Sequence, residues 1–150
     1  MGDFSQNGII SNLHDFGTKT TADIEKELVK FSKERKMELI LPSLYSELKG
    51  DALPKIVKQI GETKYLNHII VGLDKASKAE AVKAWKFFKK LNTPFTILWN
   101  DGPRLKKLHE ELKEKDLAPG EMGKGRNVWY CLGMCICLLY TSPSPRDNSG

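Results

Sequence analysis

The sequence predicts an α/β domain in which a parallel three-stranded sheet is flanked by helices. Three observations carry that reading. Short apolar runs occur at Leu39–Leu41, His68–Leu73 and Phe95–Trp99, the pattern of strands buried on both faces. They begin about 30 residues apart with a helix-periodic stretch between each pair, which is the spacing of βαβ units. Each run ends in polar or turn-forming residues: Pro42–Glu47, Asp74 and Asn100-Asp101-Gly102. Right-handed crossovers make such strands neighbours with their carboxyl ends on one edge. Ligands of open α/β sheets bind outside that edge.

The elements follow in order. Met1–Thr20 is mixed and turn-rich, with breaks at Asn7-Gly8 and Phe16-Gly17, and reads as an arm laid over the domain. Thr21 can cap a first helix, with Asp23 and Glu25 in its first turn and Ile24, Leu28 and Phe31 on one face. Pro42 ends the first strand, since proline gives no N–H to a ladder, and Ser43–Glu47 follow as a loop. Gly50-Asp51 breaks the chain and caps a second helix carrying Leu53, Ile56, Val57 and Ile60 at i, i+3, i+4 and i+7. Ser77 and Glu80 form a capping box for a third, whose stripe of Ala81, Ala84, Trp85, Phe88 and Leu91 reads as core. Pro103 suits the first turn of a fourth, with Leu105, Leu108 and Leu112 aligned. After a turn at Leu117–Gly120, helical spacing resumes with Val128, Leu132 and Ile136.

Bulk properties narrow the function. The chain has 150 residues, 40% apolar and 29% charged, with a net charge of +5, enough for one domain with a core. The basic excess is scattered beside Glu on helix faces, so solvated surfaces are favoured over a nucleic-acid patch. Cys131, Cys135 and Cys137 crowd one segment; an odd local cluster makes neither a disulfide framework nor a zinc site. No signal peptide opens the chain, and the apolar run Val128–Tyr140 is too short to span a bilayer. The reading is cytoplasmic, with neither nucleic acid nor membrane as partner. Cys137–Asp147, CLLYTSPSPRD, abandons the helical pattern for Ser and Pro and resembles a sequencing adapter translated in frame, the alternative being a genuine disordered tail. The division is therefore 1–36, arm and first helix; 37–136, partial binding domain; and 137–150, non-native tail.

The candidates for chemistry lie at the strand ends. Pro42, Ser43, Leu44 and Glu47, then Asp74, then Asn100 and Asp101, converge on one edge. A carboxylate there can accept from a ribose hydroxyl or a base N–H. Asp74 and Asp101 have an equally good reading as caps of the helices that follow. Gly123, Lys124 and Gly125 before a helix allow close backbone approach and supply a cation for phosphate. The pattern is not a Walker motif, since Ala118 and Gly125 stand where Gly and Ser or Thr belong, nor a dinucleotide fingerprint. His14, His68 and His109 lack ligand spacing. Tyr45, Trp99 and Trp129 could stack on a base, with core packing the stronger reading for both tryptophans.

Four segments in order, LPSLYSE, VGLDKAS, LWNDGPR and PGEMGKGRNVWYCLG, resemble the glucosyl-3-phosphoglycerate synthase-like glycosyltransferases. The likeness runs from Met1 to about Ile136. It implies the Rossmann-like nucleotide-binding half of a GT-A fold, truncated. It also implies a UDP- or GDP-linked sugar, as in UDP-glucose, and a small phosphorylated acceptor such as 3-phosphoglycerate. On the resemblance, Pro42, Leu44 and Glu47 lie beside the nucleoside, Asp74 near base or ribose, and Lys124 at the pyrophosphate. The full-length parent would use Mg²⁺ or Mn²⁺ and can pair as a homodimer. Three departures stand out. Ser46 precedes Glu47 where better-known members have two acids, Lys75-Ala76-Ser77 replaces Ser-Gly-Ser, and no metal-binding Asp-x-Asp follows Lys124. The chain as written is therefore expected to lack metal ligands, to have no assignable catalytic residue and to be inactive. Two alternatives stay open: another Rossmann-like module binding a dinucleotide or S-adenosylmethionine, and a non-catalytic fragment.

Overall fold

The most apolar run of the sequence becomes the centre of the molecule. In the computed structural model, which describes residues 19–141, strand β2 (His68–Asp74) lies between β1 (Glu38–Leu44) and β3 (Phe95–Trp99), all parallel. Ile69, Ile70, Val71 and Leu73 are fully buried, as a strand covered on both faces requires. The expected three-stranded parallel α/β architecture is thus present. The arm read at Met1–Thr20 lies outside the described residues through Thr18.

Alternation along β2 assigns the two faces. Ile69, Val71 and Leu73 face α2 (Ala52–Gly61) and α3 (Lys78–Phe88), where Leu53, Val57, Ala84, Phe88 and Leu91 complete the core. Ile70 and Gly72 face the long helix α5 (Lys124–Thr141). Burying the large side chains of the first face contributes about 1.5–3 kcal/mol each. Two further helices complete the described chain: α1 (Thr21–Glu34) before the sheet and α4 (Pro103–Lys113) after β3.

Several local expectations are corrected. Pro42 does not end β1: the strand continues to Leu44, with Pro42 opposite Gly72. Among the described residues β1 pairs only with β2, and on an edge strand a proline nitrogen can face away from the ladder. The expected loop after it is partly a 3-10 helix, Tyr45–Lys49. Thr20, not Thr21, caps α1 by accepting from the Asp23 amide at 3.2 Å. Ile24 and Phe31 are exposed rather than packed. Trp85 is exposed too, its ring covered by Lys89 at 5.3 Å. The Ser77–Glu80 capping box forms as read, Ser77 N–H donating to Glu80 Oε2 at 2.9 Å.

The largest correction concerns α5. The expected apolar face of Val128, Leu132 and Ile136 is not the buried one: Leu132 and Ile136 are about half exposed, 49% and 56%. The helix instead buries Asn127, Tyr130, Cys131 and Cys135. Gly72 is the reason. A Cβ there would stand 1.7 Å from Asn127 Oδ1 and 2.7 Å from Cys131 Sγ, so the helix sits against bare backbone, and its small side chains face the sheet. Nor does the helical pattern stop at Cys137, since α5 runs to Thr141 with Leu138 packed on the Ile70–Cys131–Cys135 cluster. Residues 142–150 of the tail lie outside the described residues.

Candidate functional site

Parallel strands deliver their carboxyl ends to one edge, and three of the sequence-predicted segments meet there. A cavity of about 320 Å³ is lined by Pro42, Ser43, Leu44 and Glu47 from the end of β1, and by Asp74 and Lys75 from the end of β2. Met122, Gly123, Lys124 and Asn127 line it from the start of α5. Seven of the ten candidate residues are therefore brought together. Gly125 is not among them, and nothing lies within 4 Å of where its Cβ would be. Asn100 and Asp101 open instead onto a neighbouring cavity of about 370 Å³ beside Arg126 and Tyr130.

Neither aspartate caps a helix. Ser77 caps α3, while α4 is preceded by Gly102 with no side-chain cap. Asp74 is 4% exposed and held by two amides: Asn100 Nδ2 donates to Oδ1 at 2.9 Å and Asn127 Nδ2 to Oδ2 at 2.8 Å. Asn127 also donates to the Gly72 carbonyl at 2.9 Å and accepts from Cys131 Sγ at 3.4 Å. A buried carboxylate needs such donors. Asp101 Oδ2 accepts from the Ala76 N–H at 3.0 Å, and the Ala76 carbonyl accepts from Trp99 Nε1 at 2.8 Å. Asn100 is thus tied to the Asp74 carboxylate.

The mouth is less constrained. Glu47 is exposed, and its Oε2 accepts from the Leu44 amide at 2.9 Å. Lys75 has φ 53°, a left-handed conformation that costs a side-chain-bearing residue free energy. Lys124 opens α5, whose first amides have no intrahelical acceptor. Ser43 is 3% exposed, and its hydroxyl has no hydrogen-bond partner among the described residues. An orphaned buried hydroxyl is costly unless something else meets it.

Cys131 and Cys135 are buried structural thiols. Burial pushes them up to about 12 and about 11, with the Cys135 and Asp74 charges adding for Cys131 and Glu38 for Cys135; such thiols are poor nucleophiles. Trp99 and Tyr45 pack in the core with Leu73 and Ala84 rather than offering a stacking face. Trp129 is exposed and meets Tyr130 edge-on at 5.3 Å. His109 Nδ1 lies 2.6 Å from Tyr130 Oη, and His68 Nε2 lies 3.1 Å from Thr96 Oγ1. His14 is outside the described residues. Among the described residues no group of three or more His, Cys, Asp or Glu could hold a metal ion, and no helix is long and apolar enough to cross a membrane.

Sequence reasoning missed Lys75, Met122 and Asn127. Asn127 was legible in one respect: with Cys131 and Cys135 it repeats every four residues on one helix face. The more apolar stripe beside it drew attention away.

The fold and cavity define a Rossmann-like α/β half-domain with a cleft across its strand ends. Two curated relatives narrow the resemblance. The chain is 43% identical over 136 residues to glucosyl-3-phosphoglycerate synthase of Persephonella marina, covering 91% of this chain and 34% of that protein. It is 31% identical over 132 residues to the same-named protein of Methanococcoides burtonii, covering 87% of this chain and 32% of that one. The resemblance carried by the four ordered motifs is therefore to the glucosyl-3-phosphoglycerate synthases, and the chain spans about a third of the length of the curated relatives it matches. No protein-family profile matches the chain, and no solved structure does.

Proposed function

We propose that this chain is the donor-binding portion of a glucosyl-3-phosphoglycerate synthase-like glycosyltransferase. In this reading the strand-end cavity holds the nucleoside diphosphate of a UDP- or GDP-linked sugar. The complete protein passes the sugar, glucose by the relatives' name, to a small phosphorylated acceptor such as 3-phosphoglycerate. The observation that carries the reading is the convergence of segments separated by some 80 residues of chain, Pro42–Glu47 and Gly123–Lys124, around a buried Ser43 hydroxyl that lacks a partner among the described residues. Pro42 and Leu44 supply an apolar wall for the nucleoside, and Glu47 an exposed acceptor for its hydroxyl or N–H groups. Lys124 and the unpaired amides opening α5 receive the diphosphate. Asp74 keeps the strand end in shape through its two amide partners, and its remaining lone pairs on the cavity wall can accept from the base or ribose.

Mg²⁺ or Mn²⁺ at the leaving diphosphate would supply charge neutralisation in such chemistry. The described residues gather no ligand set that fits one, and the role proposed for this chain is donor binding.

Calorimetric titration of the 150-residue chain with UDP, GDP and uridine tests the reading. Lys124→Ala should weaken UDP about ten- to a hundred-fold, the worth of one charge-assisted contact, and leave uridine within a factor of two. Equal losses for both would make Lys124 a residue of the fold instead. No binding of either diphosphate by the unaltered chain would remove the proposal altogether.

A further inference from the structure

Two lysines, not one, line the strand-end cavity, and the second sits in a conformation that its own side chain does not favour. Lys75 follows the buried Asp74 with φ 53°. The backbone on either side is pinned. Asp74 is fixed by Asn100 and Asn127, while Ala76 gives its N–H to Asp101 and its carbonyl to Trp99. The residue between must turn sharply, and glycine or asparagine would do so at least cost. A lysine there carries its charge to the mouth of the cavity instead. Neither Lys75 nor Lys124 forms an ion pair with a described residue. Strained residues held by their surroundings cluster at ligand sites. The independent sign of a ligand is the Ser43 hydroxyl, 3% exposed and without a partner among the described residues, on the wall of the same cavity.

We infer that Lys75 is a second phosphate-binding cation. It meets the diphosphate from the β2 side while Lys124 meets it from the α5 side, and the pair selects nucleoside diphosphates over uncharged nucleosides. The inference rests on the donor-binding reading above and adds a residue that the motif pattern did not single out. Phosphate oxygens are acceptors only, so they suit two ammonium groups and a hydroxyl donor together.

The test uses Lys75→Asn and Lys75→Arg in the 150-residue chain, titrated with UDP and uridine and melted without ligand. Asparagine tolerates the left-handed turn, so Lys75→Asn should melt at or above the temperature of the unaltered chain. It should also lose about ten- to a hundred-fold in UDP affinity and keep uridine within a factor of two. Lys75→Arg, which keeps the charge, should stay within a few-fold for UDP, and both losses should shrink in high salt. Unchanged UDP affinity in Lys75→Asn would overturn the inference while leaving the donor site standing. Equal losses of UDP and uridine would overturn it as well, and failure of the unaltered chain to bind UDP would remove both readings.

Discussion

Replacing Gly72 with alanine is the most demanding test of how this site is built. The added Cβ would stand 1.7 Å from Asn127 Oδ1 and 2.7 Å from both Asn127 Cγ and Cys131 Sγ. Neither neighbour can yield cheaply, because Asn127 is 2% exposed and Cys131 is fully buried. Asn127 is also tied to the Gly72 carbonyl and to Asp74 Oδ2 at 2.9 and 2.8 Å. Overpacking a close-packed contact costs about 1–3 kcal/mol. Displacing Asn127 takes a donor from a buried carboxylate, which costs about 1.5–3 kcal/mol more. Together these give about 2.5–6 kcal/mol, a large share of the 5–15 kcal/mol that holds a typical domain. The melting temperature should fall by roughly 10–20 °C. Urea and thermal unfolding followed by circular dichroism measure both quantities. The same substitution in an Asn127→Ala background should cost clearly less, because the nearest clash has gone. A loss below about 1 kcal/mol in the unaltered background, or strictly additive losses in the double variant, would refute the close helix–sheet approach and the Asp74–Asn127 link.

Two further outcomes follow from α5. Leu132→Ser should change stability by less than about 0.5 kcal/mol, since Leu132 is half exposed; a loss near 2 kcal/mol in the same urea measurement would mean that the helix buries its other face. The second outcome is a pH dependence. Burial raises Cys131 to about 12 and Cys135 to about 11 from a value of 9.0. Above pH 9 the unfolded chain therefore loses thiol protons that the folded chain keeps, and stability should fall as pH climbs from about 9 towards 11–12. Urea midpoints at pH 8 and pH 10 would show the drop, and Cys131→Ala should flatten it.

The sequence by itself determined the architecture. Apolar runs about 30 residues apart with helical periods between them leave few arrangements other than a parallel sheet, and chain order then puts every strand's carboxyl end on one edge. That is why Ser43, Glu47 and Asp74 could be named as neighbours from their positions alone, with Asn100 and Asp101 at the adjoining strand end, whereas Lys124 was placed beside them by the family resemblance. The capping box at Ser77 and Glu80 was legible for the same reason, being a local hydrogen-bond pattern three residues long. Tertiary structure decided what local signals cannot encode. Which face α5 buries depends on a bare backbone at Gly72, 55 residues before Asn127, so the less apolar stripe wins because it fits. Asp74 and Asp101 could have been caps; they became anchors of the strand ends because Asn100, Asn127 and the Ala76 amide reached them first. Lys75 takes its turn only because residues on both sides are fixed by partners more than 20 residues away. Hydrophobic period is written along the chain, whereas close approach and the pairing of buried polar groups are settled between distant segments, where volume and hydrogen-bond geometry must be met at once.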